Sequence, residues 1–155
     1  MHLFCFASRN LENIQRGVDA KKWAVATVSD AAMKGRVTKA KRYFEPGVRG
    51  LLYCNPTHSF TVPFVATSYA DPEAIVSDIW PEPWVLPFSI QPFGSPQKQM
   101  HMNKARSRWP VLLERCGGPG GVSAAMNITG TTVFSPVPIT DEDWAMILFD
   151  LGNAT

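Results

Sequence analysis

The stretch FCFASRNLENIQRGVDAKKW, from Phe4 to Trp23, decides the fold, because it predicts a strand, a polar turn, a helix and the start of a second strand. The mostly apolar residues 1–6 have the length of a strand. Asn10 is placed to cap the helix, since its side chain can accept hydrogen bonds from first-turn amides. Gly17 and Asp19 are typical of a helix exit. Apolar residues at three- and four-residue steps predict one buried helix face, formed by Leu11, Ile14 and Val18.

The composition favours one globular domain that spans residues 1–155. The chain has 155 residues, of which 45% are apolar and 18% are charged, and this is enough for a single domain with its own core. No apolar run reaches the roughly 18 residues that a bilayer-spanning helix needs. The N-terminus also lacks the basic and apolar segments of a signal peptide. We therefore expect a cytoplasmic protein with no membrane partner.

The middle of the chain alternates between helical and extended patterns. A helix is expected over about residues 31–43, after a cap at Ser29 or Asp30. Residues 50–67 then predict an antiparallel hairpin, in which Pro63 marks a bulge or an edge. A further strand is expected beyond this hairpin, at residues 85–93.

The C-terminal third predicts mainly short elements. Residues 100–113 indicate a short helix, residues 116–121 a flexible glycine loop, and residues 127–137 a strand. Thr140 and Asp143 have the spacing of a capping box, which would begin a final helix. Taken with the earlier elements, these patterns predict a mixed α+β domain, most simply a curved or closed sheet with short helices at its edges.

The sequence shows no pattern typical of catalysis, metal binding or cofactor binding. The three cysteines are odd in number and scattered, without the spacing of a zinc site. The three histidines are too dispersed to predict metal ligands. The acidic residues 141–143 suit a helix start, where carboxylates interact favourably with the helix dipole. We therefore expect no enzyme activity, no metal and no cofactor.

The strongest functional signal is a pair of tryptophans in a proline-rich loop. Trp80 and Trp84 either close the end of the sheet or form an aromatic cage, in which stacking on a planar base is worth about 1–3 kcal/mol per base. The basic runs at residues 34–42 and 98–108 are either solvated helix faces or phosphate contacts. Aromatic residues between two basic stretches are typical of a protein that binds nucleic acid.

The order of these motifs resembles the EVE and YTH domains of the PUA-like superfamily. The resemblance extends from Leu3 to about Leu151. It is carried by Ser8-Arg9-Asn10 at the end of the first strand, Asn13 in the first helix, Trp23 ten residues later, the strand Gly50–Cys54 with its partner at 59–67, the paired tryptophans before the strand at Val85, and the final helical stretch 137–148.

The resemblance implies a small β-barrel, formed by a curved mixed sheet, with short helices packed outside it and a pocket for a modified base. Matched by position, Asn13 would hydrogen-bond the edge of the base. The cage walls would be Trp23, Trp80 and Trp84, and the other pocket-facing positions would be Ser8 and Ala24. The basic residues expected to contact phosphates are Arg9, Lys34, Arg36, Lys39, Lys104, Arg106 and Arg108.

EVE-like domains occur in prokaryotic modification-dependent restriction proteins, so the resemblance favours a reader of a methylated or hydroxymethylated DNA base, such as 5-methylcytosine, flipped out of the duplex. Cleavage would then come from a nuclease domain or a partner subunit. The alternative in the same class is a YTH-like reader of N6-methyladenine in RNA. Tryptophan walls also attract cations, so a methyl-lysine module, favoured by the nearby Asp78 and Glu82, is a further alternative. An enzyme that acts on RNA is another.

Overall fold

A computed structural model of the chain describes residues 1–116, 121–128 and 130–154, with the backbone alone at residue 131. Within these residues the strands are β1 (His2–Ser8), β2 (Lys22–Ala26), β3 (Arg49–Cys54), β4 (Ser59–Ala66), β5 (Ile75–Val76), β6 (Trp84–Pro92), β7 (Met100–His101) and β8 (Val137–Pro138). The helices are α1 (Leu11–Ala20), α2 (Asp30–Tyr43), α3 (Met102–Arg108), α4 (Pro110–Arg115), α5 (Val122–Ala125), α6 (Asp141–Gly152) and a 3₁₀ turn at Gly130–Thr132.

The strands form one mixed sheet. The strand order is β2-β6-β4-β3-β1-β8, and outside this order β5 pairs with β6 and β7 pairs with β4. β1 and β3 are parallel, and every other described pair is antiparallel. The β3–β4 hairpin carries an extra residue on β4 between Phe60 and Pro63, which confirms the bulge predicted from the proline. The mixed α+β class expected from the sequence is confirmed.

Alternation along the strands divides the interior into two cores on opposite faces of the sheet. In β1, Phe4 and Phe6 belong to a first core, whereas Leu3 and Cys5 belong to a second core. Helix α1 packs on the first core through Ile14. Residues of α3, α4, α5 and α6 are buried in the second core. The N-terminal helices and the C-terminal helices therefore cover different faces.

The strand–turn–helix unit at the N-terminus forms as predicted, with one correction at the helix end. Asn10 caps α1, because its Oδ1 accepts a hydrogen bond from the backbone N of Asn13 at 2.8 Å. The helix does not end at Gly17 but continues to Ala20, and Lys21 terminates it in the left-handed conformation, with φ +53°. Gly17 has a different role, since a Cβ atom there would lie 2.7 Å from Cε3 of Trp23.

The predicted strand at residues 127–137 is wrong except at its last residue. The structure has α5 before this stretch, a 3₁₀ turn within it, and only Val137 at its end in β8. Two non-glycine residues with positive φ, Asn127 at +52° and Phe134 at +65°, are incompatible with an extended run. The predicted glycine loop at 116–121 lies mostly outside the described residues.

The C-terminal helix forms as predicted and is tied to the preceding helices. Thr140 and Asp143 make the reciprocal capping box at the start of α6. Farther along α6, the Asp150 carboxylate accepts hydrogen bonds from Nε and Nη2 of Arg108, at 3.0 and 2.9 Å, and from Nε1 of Trp109 at 3.0 Å. These bonds, chiefly those from Arg108, hold the pKa of Asp150 below its usual value.

The longest described helix is α2, with 14 residues. A bilayer-spanning helix needs about 20 apolar residues, and no helix among the described residues meets the length and hydropathy that a membrane span requires.

We expect Asp150→Asn to lower the free energy of unfolding at pH 7 by about 1–2 kcal/mol, because hydrogen bonds to a charged group are among the stronger ones. The folded carboxylate has a lowered pKa, so its contribution is complete above the unfolded aspartate pKa of about 3.9 and is lost as pH falls through the folded pKa. Urea unfolding at pH 7 and at acidic pH measures this. Glu114→Gln, at an exposed position on α4, is the control, and a pH-independent Asp150→Asn effect would contradict the prediction.

Candidate functional site

A cavity of about 220 Å³ opens beside the end of β1, between α1, β2 and the start of β6. This is smaller than the roughly 300–1,000 Å³ of pockets for drug-sized ligands, so it suits a single planar ring system. The expected pocket residues that line it are Ser8, Asn13, Trp23, Ala24 and Trp84. Arg9, Asn55 and Gly130, all exposed, also contribute to its lining and place it at the protein surface.

Asn13 is the polar side chain best placed to bind a ligand in this cavity. The residue is only 5% exposed, and its backbone is fully used: the N donates to the Asn10 cap and the carbonyl O accepts from Nε1 of Trp80 at 3.0 Å. Its carboxamide makes no hydrogen bond to any described residue, yet it is not sealed away from the cavity surface. It therefore offers both a donor and an acceptor inside the cavity.

The backbone around Ser8 and Ala24 shapes the rest of the wall. Ser8 Oγ donates to the carbonyl of Asn10 at 2.7 Å, which fixes the turn between β1 and α1. The register of β2 against β6 shifts between Trp23 opposite Phe88 and Val25 opposite Val85, so β6 carries one extra residue in this stretch, where Leu86 has φ +54°. A β-bulge of this kind re-aims backbone and side chains beside a site, and this one follows Trp84, the β6 residue that lines the cavity.

The three tryptophans expected to form a cage do converge, but their rings pack on one another. The centroids of Trp23 and Trp80 are 5.6 Å apart, and those of Trp23 and Trp84 are 5.4 Å apart, both in edge arrangements. Trp80 and Trp84 stack at 4.3 Å with an interplanar angle of 19°. A base between two parallel rings needs them about 7 Å apart, two contact distances of about 3.5 Å. No pair is spaced to sandwich a base in this arrangement.

Burial differs little among the three rings, yet only two of them reach the cavity. Trp23, Trp80 and Trp84 are 1%, 3% and 6% exposed, and Trp80 contacts both other rings but does not line the cavity. The indole Nε1 of Trp84 is buried without a hydrogen-bond partner, a condition shared among described side chains only by Nε of Arg49. A buried donor without an acceptor costs about 1–3 kcal/mol.

Two arginines give the cavity its positive charge. Arg9, with 67% of its side chain exposed, pairs with Glu82 at 3.0 Å, and Glu82 lies in the same loop as Trp80. Arg36 donates from Nη1 to the carbonyl of Ala26 at 3.1 Å and from Nη2 to that of Gly130 at 3.2 Å. No carboxylate pairs with Arg36 among the described residues, and burial lowers the pKa of its guanidinium.

The other residues expected to contact phosphates fall into two groups. Lys34 and Lys39 lie on α2 with Arg36, and Lys39 lines a groove next to the cavity. The second group, Lys104, Arg106 and Arg108, lies on α3 and does not line the cavity. Arg108 also forms an ion pair with Asp150. The structure thus brings Arg36 of the first basic run to the cavity and Lys39 to the groove beside it, and it brings no residue of the second run to the cavity.

Several residues at the site were not predicted from the sequence. Phe6, Ile128 and Val133 contribute apolar walls, and their apolar character alone could not distinguish them from core residues. Gly130 and Asn55 reach the cavity from loops that are distant along the chain. Across residues 1–116, 121–128 and 130–154, no group of three or more His, Cys, Asp or Glu side chains is arranged to hold a metal ion.

The fold is similar to that of solved YTH domains. The YTH domain of the Zygosaccharomyces rouxii MRB1 protein, in complex with N6-methyladenosine RNA, matches with a TM-score of 0.61 and 15% identity over 96% of this chain and 86% of that one. The Pho92 YTH domain in complex with m6A matches with a TM-score of 0.57 and 14% identity, over 96% and 83%. Rpa0253 from Rhodopseudomonas palustris has a TM-score of 0.57 and 12% identity, over 98% and 94%.

No protein-family model matches the sequence, and no curated protein matches it. The structural similarity nevertheless extends over nearly the whole chain. The chain therefore has a YTH-like fold, and the expected curved mixed sheet with short helices outside it is confirmed.

We expect Gly17→Ala to lower the free energy of unfolding by about 1–2 kcal/mol and to shift the tryptophan fluorescence. The new Cβ would lie 2.7 Å from Cε3 of Trp23 and 2.9 Å from the backbone O of Lys22, and such overpacking typically costs about 1–3 kcal/mol, more than the helix gains from alanine. Urea unfolding followed by tryptophan fluorescence measures both effects.

The matched control is Gly35→Ala in α2, where a Cβ atom meets nothing within 4 Å. That variant should gain up to about 1 kcal/mol from helix propensity. If the two substitutions move the unfolding midpoint in the same direction by the same amount, Gly17 is not the contact that positions Trp23.

Proposed function

We propose that this domain binds a methylated nucleobase, N6-methyladenine in single-stranded RNA, in the cavity beside Asn13. The observation that carries the proposal is the carboxamide of Asn13, which lines a small cavity walled by Trp23 and Trp84 and has no hydrogen bond to a described residue. We propose that the domain binds this base without catalysing a reaction and that the protein is cytoplasmic.

The chemistry of the cavity matches an adenine edge. An asparagine amide can accept from the adenine N6–H and donate to a ring nitrogen, the same pairing by which Asn reads adenine in DNA. The β2 residues Ala24, Val25 and Ala26 line the same cavity. The methyl group needs no hydrogen-bond partner, and contact with indole carbons adds dispersion attraction. Methylation would therefore raise affinity rather than merely be tolerated.

Binding of a base between the indoles requires the tryptophan cluster to open. The rings lie 4.3–5.6 Å apart, less than the about 7 Å that a sandwiched base needs. Nε1 of Trp84 has no hydrogen-bond partner in the packed arrangement. The packed arrangement is therefore costly for that residue, and movement of its ring breaks no hydrogen bond. We infer that Trp84 moves on binding, while the Trp80–Asn13 hydrogen bond holds Trp80 in place.

Single-stranded RNA is favoured over duplex DNA by two considerations. The MRB1 and Pho92 domains to which this chain is similar are in complex with N6-methyladenosine RNA and with m6A, respectively. A single-stranded base also enters without the few kcal/mol that extrusion from a duplex costs. The DNA function expected from the sequence, with a modified base read for a restriction nuclease, has no comparable support and is retained as an arm of the binding test.

A methyl-lysine module is disfavoured by charge. Of the two acidic residues that kept this alternative open, Glu82 is paired with Arg9 and Asp78 does not line the cavity, while Arg36 adds a second positive charge to the lining. A cationic ligand would meet two guanidinium groups at the cavity, whereas the phosphates that flank a nucleobase would be attracted by them.

We expect the protein to bind a five-nucleotide RNA with a central N6-methyladenosine at least about ten-fold more tightly than its unmethylated counterpart. Trp84→Ala should weaken binding of the methylated RNA by about 10- to 100-fold, the equivalent of the about 1–3 kcal/mol that a stacked base contributes. Fluorescence anisotropy against matched RNA and DNA strands measures both, and circular dichroism checks the fold.

Phe149→Ala is the control, since this aromatic residue on α6 is 65% exposed and does not line the cavity. Equal affinity for methylated and plain strands of both nucleic acids would refute the proposed function. A preference for methylated DNA over methylated RNA would instead support the function expected from the sequence.

We expect Glu82→Gln to tighten RNA binding about two- to five-fold, because it frees Arg9 from an exposed ion pair worth about 0.2–1 kcal/mol. The salt dependence should steepen at the same time, by about 0.7 in the log–log slope for one additional phosphate contact. Titrations between 50 and 200 mM salt, about the range over which such slopes are usually compared, measure both effects.

Glu12→Gln is the matched control, because Glu12 forms an exposed pair with Arg16 that does not line the cavity. An equal gain in both variants would show a general effect of net charge, and Arg9 would then have no specific role.

A further inference from the structure

The loop between β5 and β6 lies along one side of α1 and of the turn before it. We refer to residues 79–82 of this loop as the strap. Three polar contacts join the strap to α1 and the turn: Ile79 with Arg16 at 3.4 Å, Trp80 with Asn13 at 3.0 Å and Glu82 with Arg9 at 3.0 Å. The partners follow one another in reverse order, so the strap runs antiparallel to α1.

The contact made by Trp80 is the main anchor of the strap. Trp80 and Asn13 are 3% and 5% exposed, and the hydrogen bond between them is buried. The other two contacts are exposed, and the one at Ile79 is long. An exposed ion pair contributes little to stability, whereas loss of a buried hydrogen bond leaves a polar group unsatisfied.

The position of the Asn13 carboxamide depends on its backbone. The carboxamide has no hydrogen bond to a described residue, whereas the backbone N donates to Oδ1 of Asn10 at 2.8 Å and the backbone O accepts from Trp80. Helix ends fray, and Asn13 lies in the first turn of α1. The cap and the strap therefore hold this turn from two sides, and they determine where the side chain enters the cavity.

Trp80 and Trp84 differ in the use of their indole N–H groups, although their rings stack at 4.3 Å. Trp84 lines the cavity, and its Nε1 has no hydrogen-bond partner. Trp80 does not line the cavity, and its Nε1 is bonded to Asn13. Ring surface at the cavity therefore comes from Trp84, and the N–H that acts on the site comes from Trp80.

We propose that Trp80 is a positioning residue for Asn13, in place of the cage-wall role expected from the sequence. Its N–H fixes the backbone of Asn13, so that the carboxamide meets the edge of the base. This inference rests on the proposed function. It separates two tasks within one pair of stacked rings: Trp84 provides contact with the base, and Trp80 sets the hydrogen-bonding group that recognises it.

The test is a double-mutant cycle with a five-nucleotide RNA that carries a central N6-methyladenosine. Trp80→Phe removes the N–H and keeps an aromatic ring, and Asn13→Ala removes the carboxamide while the backbone carbonyl that Trp80 contacts remains. Trp84→Phe is the matched control, because it removes an N–H that makes no bond. Fluorescence anisotropy measures the affinities, and circular dichroism checks the fold. Trp80→Tyr also lacks the indole N–H and replaces Trp80→Phe if that variant does not fold.

Trp80→Phe is expected to weaken RNA binding at least about five-fold when Asn13 is present and less than about two-fold in the Asn13→Ala background, since coupled residues are not additive. Trp84→Phe should change affinity by the same factor in both backgrounds. Undiminished binding by Trp80→Phe would overturn the inference. An equal loss in both backgrounds would also overturn it, because Trp80 would then act on the base or on the fold without Asn13. The proposed function fails separately, and this inference with it, if the unmodified protein does not prefer the methylated RNA over its unmethylated counterpart.

Discussion

The site depends on the close approach of the Trp23 indole to the backbone of Gly17. Any side chain at Gly17 would occupy the space of that ring, so the absence of a Cβ atom in α1 sets how deeply β2 and its tryptophan can lie against the helix. The same helix carries Asn13, whose backbone carbonyl accepts a hydrogen bond from Trp80. One helix therefore positions two of the three indoles and the cavity's amide, and the strand before it ends at Ser8 on the cavity wall.

Three arginines of the domain show how local partners determine what one residue type does. Arg108 is paired with the Asp150 carboxylate, which also accepts a hydrogen bond from the indole N–H of Trp109, so the role of Arg108 is structural. Arg9 has an exposed carboxylate partner that solvent and salt can replace. Arg36 is positioned by carbonyl oxygens, which orient the group without neutralising it. Of these three arginines, only Arg9 and Arg36 are therefore suited to contact the phosphates of a nucleic acid.

The parts of the fold that the sequence predicts well are those specified locally. Asn10 and the Thr140–Asp143 box define helix starts through their own side chains, and Pro63 marks the bulge because proline cannot donate in the ladder. Residues 127–137 were predicted incorrectly, since Thr, Val and Phe favour strands, whereas Asn127 and Phe134 have positive φ and Phe134 packs against Phe6 and Phe44 in the first core.

The residues around the cavity were more predictable than their geometry. The resemblance indicated Asn13, Trp23 and Trp84, which line the cavity, and Trp80, which does not; ring spacing depends on how α1, β2 and β6 pack together. The separation of the two basic runs likewise depends on topology: α2 covers the first core, whereas α3 buries Ala105 in the second. No local pattern distinguishes a lysine that faces a cavity from one that faces solvent.

Because β1 and β3 are shared by both cores and alternate their side chains between them, the sheet separates the cavity from most of the C-terminal helical layer. Phe6, Trp23 and Trp84 of the first core line the cavity, whereas α3, α4, α5 and α6 contribute no residue to its lining. Substitutions in these helices that keep the second core packed therefore leave the cavity wall without direct change.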